Sequence, residues 1–146
     1  MKPDHPFSRV FKLYDRIAIT GPSGCGKTTL AKTITDRPVF YSDDFKHLGW
    51  SEASEETARV INAHQGKLLV EGVAIARALR KGMKVDAVIL LTAPKREQLP
   101  GQVSQGKGIH KVLNEWRAAN PKVPVYVEPV DRYSPFESKP DEGDSE

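Results

Sequence analysis

The segment Gly21-Pro-Ser-Gly-Cys-Gly-Lys-Thr28 matches GxxxxGK[ST] in full, and no other feature constrains the chain as tightly. It follows a short apolar run, Arg16-Ile-Ala-Ile-Thr20, and precedes a stretch where Leu30, Ala31 and Ile34 recur at helical spacing until Asp36-Arg37-Pro38 stops it. Strand, glycine loop and helix in that order let successive backbone N–H groups turn inward toward an anion, with the positive end of the helix behind them. The expected ligand is therefore ATP or GTP, held by Gly21, Ser23, Gly24, Cys25, Gly26, Lys27, Thr28 and Thr29. Lys27 reaches the β and γ phosphates and the Thr28 hydroxyl takes Mg²⁺. A dinucleotide loop does not fit, because Gly24-Cys-Gly26 is followed by Thr29 where GxGxxG needs its third glycine. For Cys25 the expected role is a small filler.

Beyond this loop the chain alternates. Val39–Ser42 reads as a second strand, and Ser54 is expected to cap a helix running to about Gln65, with Glu55 and Glu56 in its first turn. Leu68–Val70 reads as a third strand, Ala74–Arg80 as a short helix and Val85–Leu91 as a fourth strand, apolar enough to be buried on both faces. Ile109, Val112, Leu113 and Trp116 mark one face of a further helix, and Val123–Val127 reads as a fifth strand whose Pro124 suits an edge. Met1–Tyr14 reads as a loop followed by a short edge strand. Strands alternating with helices imply an α/β domain around a mainly parallel sheet. A chain of 146 residues has room for one such domain. Residues 1–133 are assigned to it, and 134–146, rich in Pro, Ser and acids without periodicity, to a disordered acidic tail.

Charge narrows the ligands further. Lys and Arg number 22 against 19 Asp and Glu, but the last ten residues hold five of the acids and one base, so residues 1–136 carry a net charge of +7. A basic body suits phosphate-bearing ligands, nucleotides or nucleic acid. The single cysteine makes no internal disulfide, and no run approaches the roughly 18 apolar residues of a membrane span. The expected setting is a reducing cytoplasm, with no membrane partner. The histidines and cysteine show no structural zinc spacing, so any metal arrives with a ligand.

Leu68-Leu-Val-Glu71-Gly72 ends an apolar strand in a carboxylate, the position from which an acid holds Mg²⁺, and Glu71 is the metal candidate beside Thr28. A hydroxyl acceptor needs a carboxylate to orient it and take its proton, and Asp43 and Asp44 are the acidic pair near the expected neighbour of the first strand. Arg77 and Arg80, three residues apart, share a helix face. Lys95, Arg96 and Lys107 flank the Gln- and Gly-rich stretch 99–108, which stands where a lid belongs, and cations there are placed to neutralise a transferring phosphoryl group. No NKxD string for guanine occurs, and the chain is too short for the lid domain of a ring ATPase.

Tyr41-Ser-Asp43-Asp44-Phe45 resembles the D-x-F segment of uridine kinases and phosphoribulokinases, in which the first acid is the base toward the acceptor hydroxyl; Asp43 takes that position. Gly49-Trp-Ser51, the run from Glu71 to Arg80, and Gly106-Lys-Gly108 followed by Trp116 look like a group of small P-loop kinases common in bacteriophage genomes. Some phage P-loop kinases phosphorylate hydroxymethyl-pyrimidines in DNA on the way to hypermodified bases. In adenylate-kinase-like enzymes an arginine soon after the third strand binds the acceptor's phosphate, and Arg77 resembles it with a longer spacing. The resemblance implies a three-layer P-loop kinase fold with a five-stranded sheet. It also implies an ATP- and Mg²⁺-dependent phosphotransferase acting on a nucleoside-like alcohol, free or in DNA. The alternative is a nucleic-acid-binding ATPase or regulatory NTPase without an acceptor.

Overall fold

A computed structural model describes residues 7–22, 25–92 and 100–128. Its centre is a sheet of five strands, β1 (Arg16–Thr20), β2 (Val39–Tyr41), β3 (Leu68–Glu71), β4 (Ala87–Leu91) and β5 (Val125–Glu128), in the order β2-β3-β1-β4-β5. Every neighbouring pair is parallel, so the sheet is wholly rather than mainly parallel. The glycine-loop strand β1 lies in the middle, and β5 is an edge, with Pro124 placed just ahead of it.

Five α-helices are present among the described residues: α1 (Ser8–Leu13), α2 (Lys27–Lys32), α3 (Trp50–Ala63), α4 (Ile75–Arg80) and α5 (Pro100–Ala119). The strands divide their side chains between two cores, as a period of two requires. Ile17, Ile19, Leu69, Ala87, Ile89 and Leu91 pack with Phe7, Val10 and Phe11 at α1 and with Leu30 and Ala31 of α2. Ala18, Leu68, Val70, Val88 and Leu90 face α3, α4 and α5 through Ile61, Ile75, Leu79, Leu113 and Trp116. Helices on both faces of one sheet give three layers.

Three segments differ from their sequence reading. Within the N-terminal stretch Ser8–Leu13 forms α1, not a strand, because Phe7, Val10 and Phe11 fall at helical spacing and bury together against the sheet. The helix assigned to start at Ser54 begins four residues earlier, after Gly49, and Ser54 lies inside it, its Oγ donating back to the Trp50 carbonyl at 2.8 Å. The supposed lid stretch is the first half of α5 from residue 100 onward: Pro100 suits a first helical position, and Gly106 lets the helix pass the glycine loop. A Cβ built on Gly106 would lie 3.2 Å from Pro22 Cγ. The 134–146 tail lies outside the described residues.

Two arginines tie the end of the sheet where the strands start. The Arg16 guanidinium donates to the carbonyls of Ile61 and His64, at 2.8 and 2.9 Å, holding the last turn of α3. The buried Arg37 donates to the carbonyls of Phe11, Tyr14 and Asp15, closing α1 onto β1, and pairs with Asp36. Both arginines thereby supply charged donors to main-chain carbonyls at the ends of α3 and α1 and just beyond them.

Candidate functional site

The opposite end gathers the sequence-predicted site. Because β1, β2 and β3 are parallel, their C-terminal ends emerge together, and Glu71 is in register with Ile19 of β1 and Tyr41 of β2. Ligands of open α/β sheets bind at this edge. After β1, Gly21 turns the chain at φ 148° so close to β4 that a Cβ would sit 2.4 Å from the Leu91 carbonyl oxygen. Only glycine fits there. Cys25 is fully buried in the α1/α2 core, which agrees with its reading as a filler. Ser23 and Gly24 lie outside the described residues.

Lys27 opens α2, and its ammonium is buried within the loop, donating to the Pro22 carbonyl at 3.0 Å. Burial pulls its pKa below the ordinary lysine value, and the negative charges of Glu71 and Asp43 act against that fall. On the next residue, Thr28 Oγ1 donates to Glu71 Oε2 at 2.9 Å. Glu71 is 4% exposed, and burial raises its carboxyl above the usual glutamate value. The Thr28 hydrogen bond and the Lys27 charge lower it again, while Asp43 adds to the rise. Lys27, Thr28, Glu71 and Asp43 therefore share one electrostatic environment, although 44 positions separate Lys27 from Glu71 in sequence. Thr28 and Glu71 present hard oxygens to one point, a donor set that fits Mg²⁺. Among the described residues no group of three or more His, Cys, Asp or Glu side chains is arranged to hold a metal by itself.

Asp43 and Asp44 fall in the 3₁₀ segment Ser42–Leu48 that follows β2. Asp43 lines a cavity of about 230 Å³ together with Ser42, Trp50, Val73, Ala74 and Gln105. Asp44 is exposed and is not among the residues lining it. A second cavity of about 360 Å³ adjoins the first, sharing Trp50, Val73 and Gln105, and reaches Arg77 and the start of α5. The Arg77 guanidinium stands 5.5 Å from the Trp50 ring centroid. Arg80, the last residue of α4, does not join Arg77: it lines a different groove with Lys84, Trp116 and Val123. Lys107 and Thr29 are exposed, on α5 and α2, and Lys95 and Arg96 lie outside the described residues.

Ser42, Trp50 and Gln105 escaped the sequence reading as site residues. Ser42 Oγ is buried, and it is the buried side-chain polar atom without a hydrogen-bond partner among the described residues. It rests against Gly72, where a Cβ would approach to 1.7 Å. The glycine after Glu71 is the one sequence trace of that contact. Trp50 enters the sequence reading only within the resembling segment Gly49-Trp-Ser51, with no role of its own, because the helix assigned to start at Ser54 leaves it outside; in the structure it opens α3.

A scan against protein-family models and a search of curated proteins found no match for the chain.

Proposed function

We propose that the chain is an ATP-dependent P-loop kinase that transfers the γ-phosphate to a hydroxyl of a nucleoside-like acceptor, a free nucleoside or nucleotide or a hydroxymethyl-pyrimidine in DNA. The observation that carries the reading is the 2.9 Å hydrogen bond from Thr28 to Glu71 beside the buried Lys27, with Asp43 facing the same charges from a cavity. Separate stretches of sequence, each expected to serve one part of phosphoryl transfer, meet at the edge where such sheets bind ligands.

In this reading Lys27 holds the β and γ phosphates, and Thr28 and Glu71 hold Mg²⁺. Bound there, Mg²⁺ neutralises charge on the phosphate oxygens. Asp43 accepts the proton of the acceptor hydroxyl as its oxygen forms the new bond to phosphorus and the bond to the ADP oxygen breaks. Arg77, in the adjoining cavity, is the candidate to meet an acceptor's own phosphate. No helix among the described residues is long and apolar enough to cross a membrane.

The deciding experiment follows radiolabelled γ-phosphate from ATP over free nucleosides, nucleotides and hydroxymethyl-pyrimidine DNA. Label on an acceptor supports the kinase. Inorganic phosphate alone, whatever is added, supports an acceptor-free ATPase instead. If DNA is the acceptor, log affinity falls with log salt by about 0.9 per phosphate contact on duplex and about 0.7 on single strands, whereas a free nucleoside gives an almost flat line.

A further inference from the structure

Phosphate chemistry leaves one conspicuous group in the cleft without a task. Trp50 begins α3 on the stripe that buries Ile61 completely, yet it is itself 52% exposed, because the first turn of the helix overhangs the two cavities. An indole is a large apolar surface to leave in water, and the Arg77 guanidinium lies over its ring, 5.5 Å from the centroid. Below it the 230 Å³ cavity has an apolar floor of Ala53, Val73 and Ala74 and a polar end of Ser42, Asp43 and Gln105. That volume falls under the roughly 300–1,000 Å³ of pockets for drug-sized ligands, so it suits one ring system.

The polar end contains the second observation. A hydroxyl buried without a partner costs stability unless a ligand completes it. Ser42 Oγ is such a group, on a residue that is 2% exposed, in the wall of this cavity and directly before Asp43. It sits against Gly72, and the residue that bears it lines the cavity whose other wall is Trp50. An exposed indole above, small apolar side chains below and an unsatisfied hydroxyl at the end match a planar heteroaromatic ring, whose faces stack and whose edge bears hydrogen-bonding atoms.

We propose that Trp50 is the stacking platform for a nucleobase-like ring of the acceptor, with the Ser42 hydroxyl as hydrogen-bond partner for the ring edge and Arg77 fixing the indole. The proposal rests on the kinase reading of the same cleft and names its substrate class: alcohols carried on a planar heteroaromatic ring, in preference to sugars or polyols without one. The ring comes either from a free nucleoside or from a base turned out of a nucleic-acid strand. Its chemistry at Trp50 is the same in both cases.

The chain has two tryptophans and both emit, but Trp116 is buried and lines neither cavity, so a ligand-dependent change that is lost in Trp50→Phe reports on Trp50. With ADP and Mg²⁺ present throughout, full-length protein is titrated with thymidine, 5-hydroxymethyl-2′-deoxyuridine, a ten-nucleotide oligo(dT), ribose and glycerol. The ring compounds should quench saturably, ribose and glycerol should not, and the quenching should vanish in Trp50→Phe. Thymidine against oligo(dT) separates the free source from the strand. In turnover, Trp50→Ala should raise KM for ring acceptors about 10- to 100-fold with kcat little changed, and Trp50→Phe should restore most of the loss. Ser42→Ala should raise KM for ring acceptors and leave that for glycerol unaltered. Unchanged fluorescence with every ring compound, or an unchanged KM in Trp50→Ala, overturns the proposal. Quenching is read without turnover, so saturable quenching with no phosphate transfer to any alcohol sinks the kinase reading and leaves the ring site standing. Transfer to glycerol without quenching does the reverse.

Discussion

The Thr28 hydroxyl donates to the Glu71 carboxylate at 2.9 Å across 43 positions of sequence, joining the first turn of α2 to the last residue of β3. In that contact an alcohol and a carboxylate converge on one point, and replacing either should change the response to metal before it changes the fold. Thr28→Val keeps the β-branched shape and removes the oxygen. Its Mg²⁺ titration midpoint for ATP turnover should move upward while far-UV circular dichroism stays as in the parent. An unmoved midpoint removes Thr28 from the metal site.

Glu71 supplies a pH signature. Burial raises its carboxyl above the ordinary value in the metal-free protein, so Mg²⁺ affinity should begin to weaken at a higher pH than an unperturbed glutamate would set. Removing the neighbouring cation in Lys27→Met takes away a lowering influence and should move the acidic limb of Mg²⁺ binding higher; Asp43→Asn removes a raising influence and should move it lower. For stability the sign is opposite to that of a salt-bridged acid. Between the unfolded and the raised folded pKa the folded chain holds the extra proton, so this group's contribution is greatest at low pH and declines as pH rises through the folded value. Glu71→Gln should flatten that part of the denaturation-against-pH curve while abolishing the metal response.

Asp43 and Asp44 are adjacent, and the cavity distinguishes them. Asp43→Asn should lower phosphate transfer about 10²- to 10⁴-fold, the range of a general base, with little change in nucleotide affinity. Asp44→Asn, at an exposed position away from the cavity lining, should leave turnover close to that of the parent. Steady-state kinetics with isothermal titration of a nonhydrolysable ATP analogue separates the two effects. Loss confined to Asp44→Asn would shift the base by one residue.

Gly72 should tolerate no side chain. At φ 150° a Cβ there would meet Ser42 Oγ at 1.7 Å and Ser42 Cβ at 2.8 Å. Gly72→Ala should destabilise by about 1–3 kcal/mol, the usual range for overpacking, read from the urea midpoint. Ser42→Gly should recover part of that loss in the double variant, leaving the backbone strain behind, and the two changes should be non-additive because the atoms touch. Strict additivity would mean that they do not press on one another.

What the sequence made legible was what it encodes locally. The glycine loop between β1 and α2, and the unbroken apolar runs of β3 and β4, identify themselves within a few residues, and Glu71 followed from being the acid at the end of one of them. The starts of helices did not. α3 begins after Gly49 without a side-chain cap, so Ser54 drew the boundary inward although its hydroxyl bonds within the helix. α5 carries Gly101, Gly106 and Gly108, which weaken helical propensity, and the reason Gly106 is tolerated is a close pass by Pro22, more than 80 positions away. Arg80 parted from Arg77 although both belong to α4: the groove beside Lys84, Trp116 and Val123 takes its side chain, and Trp116 and Val123 are distant in sequence. Trp50 was missed for a related reason: with the helix boundary drawn at Ser54 it fell outside the element, whereas it is the first residue of α3 and half exposed beside the cavities.

Arg16 and Arg37 draw their partners from main-chain carbonyls at the starts of the strands, the far end of the sheet from Ser42, Asp43 and Trp50. Those ties ask nothing of the side chains that line the cavities, since a carbonyl is present whatever residue bears it. The molecule is thus modular in an evolutionary sense. On the proposed kinase reading, drift between Asp44 and Trp50 can exchange one alcohol for another without unlacing the helices, and selection for new acceptors should accumulate changes there while the thermal midpoint hardly moves.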